Sequence, residues 1–94
     1  MPLSTPHQLI DAAMARALHL DACRDHPIVA WVIWYDHPAH PGRFIAQLAV
    51  ESPLPYVLIG DTLAEVQAQL PPGLVRYGRQ PVDPPEVVEV WVAD

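Results

Sequence analysis

The chain has 94 residues, a formal charge of −6, no lysine and five arginines, and 51% of it is apolar. The acidic balance with scattered arginines lacks the electrostatic footprint of a nucleic-acid binder, the lack of lysine excludes Schiff-base chemistry, and a single cysteine excludes an internal disulfide. No apolar run approaches the ~20 residues that cross a bilayer, and Met1-Pro2-Leu3-Ser4 has neither the basic nor the apolar region of a signal peptide. The expectation is one small globular domain over residues 1–94, cytoplasmic, with no cofactor.

Thr5-Pro6-His7-Gln8 reads as a helix start, with Thr5 as N-cap, Pro6 at the first helical position and Gln8 closing a capping box. Leu9, Ile10, Ala13, Met14, Ala17 and Leu20 fall in one arc of the wheel and are expected to face the core. Asp11, Arg16, His19 and Cys23 fall opposite. The helix should stop before His26-Pro27.

Ile28–Tyr35 is eight apolar residues in a row. As a strand it is apolar on both faces, which predicts a central position covered on both sides. Asp36–Gly42 is a turn-rich connection with two prolines and a glycine. Arg43–Ser52 is the return strand, with Phe44, Ala46, Leu48 and Val50 on its core face.

Tyr56–Ile59 is a short strand between Pro55 and Gly60. Gly60 permits a sharp exit. Thr62-Leu63-Ala64-Glu65 then matches a capping box, with Glu65 reaching back to the Thr62 amide. Leu63, Val66 and Leu70 form a narrow apolar stripe, and Pro71-Pro72 ends the helix. Leu74–Tyr77 is a candidate short strand, Arg79–Pro85 a proline-rich loop and Glu86–Val92 a final strand. The order is α-β-β-β-α-(β)-β, an α+β domain with one mainly antiparallel sheet of three to five strands and two helices.

The hairpin, the third strand and Gly60-Asp61-Thr62-Leu63-Ala64-Glu65 together resemble the HicB-like antitoxin domain over about Ile28–Leu70. That resemblance implies a β-β-β-α-β core and protein–protein binding. The chain departs from the family pattern at Glu51-Ser52-Pro53-Leu54-Pro55, carries an extra N-terminal helix, and has no helix-turn-helix or basic segment after the core.

Three chemistries compete. Trp31, Tyr35 and Trp91 are candidates for an interaction surface if they share a sheet face opposite Phe44, Leu48 and Val88, since aromatics are enriched in interface cores. The competing reading is that the first helix covers them. His37 and His40 share a loop and are candidate metal ligands, although each precedes a proline and serves turn construction equally well. Cys23 lies four residues after His19 on one helix face, a spacing at which an imidazole can activate a thiol. Arg76, Tyr77 and Arg79 form the only basic–aromatic cluster. Asp83, Glu86 and Glu89 read as a solvated edge. The leading expectation is a non-catalytic interaction module that binds itself or a protein partner through a sheet face or edge. The alternative is a metal- or small-ligand-binding protein using the His37/His40 loop.

Overall fold

A computed structural model describes residues 6–93. Six strands and two helices follow in the order β1 (Gln8–Leu9), α1 (Ala12–Asp25), β2 (Ala30–His37), β3 (His40–Ala49), β4 (Pro53–Gly60), α2 (Leu63–Gln69), β5 (Leu74–Gly78) and β6 (Val87–Ala93). They build one sheet in the spatial order β1-β4-β3-β2-β6-β5. Every pairing is antiparallel except β1 with β4. The class is α+β as expected, with six strands instead of three to five.

The additional strand is β1, and it corrects the reading of the N-terminus. Gln8 and Leu9 pair in parallel with Tyr56 and Val57, and the Ile10 amide donates to the Val57 carbonyl. The capping box assigned to Thr5 and Gln8 is therefore not formed at Gln8, and Thr5 itself lies outside the described residues. Helix α1 starts later. Asp11 is its N-cap, with Oδ1 accepting from the Met14 amide at 2.8 Å.

The arc that packs inward also differs from expectation, being the one that holds His19. Ala15, His19 and Ala22 are the buried residues of α1, while Met14 and Leu20 are 50% and 60% exposed. Alanines allow the helix to lie close to the sheet, and His19 contributes a polar contact rather than apolar area. The C-terminal boundary agrees with expectation, with His26 as the extended C-cap.

Both helices lie on one face of the sheet. Trp31, Ile33, Ala46, Leu48 and Leu58 from the strands join Ala15, Ala22 and Val66 from the helices in one core cluster. Trp31 is fully buried. Strand β2 is central, between β3 and β6, as its composition predicts. Among the described residues helices cover it on one side, not on both as expected.

Helix α2 is held at both ends. The Thr62 hydroxyl accepts from the Glu65 amide at 3.1 Å. Glu65 Oε2 reaches back one residue further than expected and accepts from the Asp61 amide at 2.8 Å. Leu70 is the extended C-cap before the two prolines. Gly60 is needed for close approach: a Cβ there would stand 3.0 Å from Glu65 Cβ and from Val66 Cγ2.

Candidate functional site

The hairpin register decides which aromatics share a face. Trp31 stands opposite Leu48 and Tyr35 opposite Phe44 across β2 and β3, while Trp31 stands opposite Trp91 across β2 and β6. Trp31, Tyr35 and Trp91 do share a face. Phe44 and Leu48 are on that same face, contrary to expectation, and it is the one the helices cover. Tyr35 packs on Phe44 with ring centroids 4.6 Å apart. Trp31 donates from Nε1 to His19 Nδ1 at 3.1 Å. Trp91 donates to Glu89 Oε1 at 3.0 Å. Trp31 is thus a core residue and not a docking residue.

Glu89 is likewise not a solvated edge group. Strand β6 lies between β2 and β5, and Glu89 is buried. Its carboxylate accepts from Gln67, Trp91 and Arg76. Burial pushes this carboxyl up, but the bonds from Gln67, Trp91 and Arg76 and the Arg76 charge outweigh it and hold it below the ordinary value of 4.5. The network ties α2 to β6 and β5.

Among the described residues no helix lies on the opposite face. It falls into two halves. Around β5, β6 and the start of β2 it presents Val75, Tyr77, Val90, Val92, Ala30 and Val32. Val75 is 42% exposed and Tyr77 53%. Here the Arg79–Pro85 loop, pinned by Arg79 donating to the Asp83 and Pro84 carbonyls and by the Gln80 amide donating to Asp83 Oδ2, borders an apolar groove of about 360 Å³. Its walls include Tyr77, Val90 and Val92.

The other half is different. Ile45, Gln47 and Val57 are buried, and four aromatic rings gather beside them. His7, from the segment preceding β1, stacks on His40 with centroids 5.1 Å apart and planes at 10°. It also lies 5.0 Å from the His37 ring. His37 meets Trp34 edge-on at 5.1 Å. His7 Nδ1 and His40 Nε2 are 2.9 Å apart and share a hydrogen bond, and Gln47 Nε2 donates to the Leu54 carbonyl at 2.9 Å beside them.

Simple alternation along β2 would send His37 to the helix side. Asp36 prevents this. It sits at φ 59°, opposite Gly42 at φ 71°, and its Oδ1 accepts from the Gly42 amide. The pairing register shifts between Tyr35 and His37. This irregular hairpin end turns His37 to the side of Trp34 and His7. No sequence motif announces His7 as a partner, because its neighbours come from positions 33 and 30 residues away.

The donor set has little capacity left for a metal. His37 Nδ1 accepts from the Ala39 amide at 3.0 Å, and His40 Nε2 is engaged with His7. Among the described residues no group of three His, Cys, Asp or Glu side chains is placed to hold a metal ion.

Cys23 and His19 do meet, with Sγ 3.6 Å from Nε2. The Trp31 bond decides what this contact can do. An indole N–H only donates, so His19 Nδ1 carries the lone pair and Nε2 carries the hydrogen. Burial holds the His19 pKa below its ordinary 6.5, which keeps this neutral form. An imidazolium would set two N–H groups against each other at Nδ1. His19 is therefore a donor toward the sulfur and not a base that can take its proton, so the dyad expected of a cysteine enzyme is not assembled.

No family model matches the chain, and neither the curated proteins nor the solved structures give a match. The likeness to HicB-like domains consequently rests on the strand-and-helix order and on Gly60–Glu65 alone.

Proposed function

We propose that the protein is a non-catalytic interaction module that docks a second copy of itself or a partner protein on its helix-free sheet face. The observation that supports this reading is the contiguous apolar half-face of Val75, Tyr77, Val90, Val92, Ala30 and Val32 beside the groove at Tyr77. Large apolar patches that remain outside a folded core mark contact sites more often than chance. The β-β-β-α-β order and the Gly60–Glu65 helix start, which resemble those of a protein-binding family, are in keeping with it.

The test places a photo-crosslinking residue at Tyr77 and, as control, at Glu51 in the exposed turn after β3. Sedimentation of the wild-type chain at about 100 μM, a concentration at which weak homodimers form, is run alongside. A dimer, or a defined adduct from position 77 alone, supports the reading. A monomer that gives no adduct, or equal adducts from both positions, sinks it.

A further inference from the structure

The ring cluster of His7, His37 and His40 lies outside the apolar half-face at Tyr77, and its geometry points to a separate role. We propose that His7 and His40, packed against the His37 ring, form a proton-sensitive latch that holds β1 against the edge of β4 and releases it on acidification.

The latch closes a weak attachment. Strand β1 is two residues long, and its pairing with β4 is supplemented by the Ile10–Val57 backbone bond. A pairing this short does not hold a strand unaided. The segment is fastened further by Ile10, packed on the core after β1, and, before β1, by His7, stacked on His40, set against His37 and 3.5 Å from Gln47 Nε2.

The His7–His40 link depends on a proton-free ring nitrogen. In the His7–His40 bond one ring donates and the other accepts, so a second proton on the pair leaves two donors face to face. His37 Nδ1 accepts from the Ala39 amide. The surrounding charge offers no relief. From β2 the neighbouring ring is His37; from β3 they are His40, Arg43 and Gln47; from β4, Pro53, Leu54 and Pro55 line the cavity beside His7. Among the described residues the carboxylate that pairs with a histidine is Glu51, and its partner is His26, outside the cluster. Asp36 accepts from the Gly42 amide; Arg43, itself paired with Asp61, adds positive charge beside His40.

The electrostatics agree in sign. Burial, then the charges of His37 and His40, hold His7 below its ordinary 6.5. Burial, then His37 and Arg43, do the same for His40. A ring whose pKa is lower in the latched state binds protons more readily once released. The latch is at full strength above pH 6.5 and weakens as pH falls through the lowered values.

The experiment is NMR on the full chain, titrated from neutral pH to about pH 5. Cross-strand Overhauser peaks between Gln8 and Tyr56 and between Leu9 and Val57 report the latch. The indole N–H of Trp31, bonded to His19, reports the core. The expected result is that the β1 peaks disappear while the Trp31 signal persists, with protection of the Ile10 amide falling about tenfold or more. The double variant His7→Gln, His40→Gln keeps a donor and an acceptor but cannot titrate, and its β1 peaks should not respond to acid. Three results overturn the proposal: β1 peaks that survive to about pH 5, β1 peaks that vanish only together with the Trp31 signal, or an acid response retained in the double variant.

Discussion

The two faces of this sheet are built from similar residues and used differently. One face carries Trp31, Ile33, Leu48 and Leu58, closed by α1 and α2. The other carries Val75, Tyr77, Val90 and Val92, bordered by a loop and a groove. Composition does not distinguish them. What separates them is where the helices cross, and that follows from the connections, β1 into α1 and β4 into α2, both of which lead to the same side. An apolar alternation therefore tells which residues share a face and not whether the face is covered.

Four variants break or sharpen that contrast. Trp31→Ala removes the largest buried side chain and leaves His19 Nδ1 without its donor. It should cost about 3–5 kcal/mol in a denaturant titration. Glu89→Ala leaves Gln67, Trp91 and Arg76 without their shared acceptor and should cost about 2–3 kcal/mol. Because the Glu89 carboxyl is held below its ordinary 4.5, its stabilisation is present above that pH and lost as pH falls through the lowered value. The Ala variant should lose that part of the acid dependence. Thr62→Ala removes the α2 cap and should lower the thermal midpoint by an amount equivalent to about 1 kcal/mol. Val75→Glu with Tyr77→Glu alters the open face alone. Its stability should stay within about 0.5 kcal/mol of wild type, and its association should vanish in sedimentation. A loss above ~1 kcal/mol there would mean that the face is packed by the chain itself, and the contrast between the two faces would fail.

The legible parts of the sequence are those fixed by local chemistry. Thr62, Glu65 and Pro71-Pro72 bound α2 because caps and prolines act within a few residues. Ile28–Tyr35 reads as a central strand because only an interior position suits apolar residues on alternate sides. The start of α1 is not legible, because Thr5-Pro6-His7-Gln8 satisfies a helix-start pattern while Gln8 and Leu9 are claimed by β4, some fifty positions away. A tertiary pairing overrides a local preference. The inner arc is not legible either: Leu9 and Ile10 enlarge the expected stripe although they precede the helix, while the buried side is that of Ala15, His19 and Ala22. Glu89 reads as a solvent-facing residue because nothing near it in sequence reveals Gln67 or Arg76. Of the candidate residues, Cys23 and His19 are correctly paired by spacing, yet the Trp31 bond that determines their chemistry is non-local. The His37/His40 pair is visible in the sequence, and its third ring is not.

Strand β2 has a consequence for how the chain reaches this state. Its partner on one side, β3, follows after a tight hairpin, whereas its partner on the other, β6, begins fifty positions after β2 ends. During synthesis the β2–β3–β4 meander can form while the far edge of β2 is still unpaired, with Val32, Trp34 and a row of backbone donors and acceptors open to other chains. Pairing across such a separation is slow compared with hairpin closure, and an unpaired strand edge is the usual starting point of misassembly. The arrival of β6 is therefore the step at which this protein is most exposed to aggregation, and chaperone capture should be greatest for nascent chains that stop before Val87.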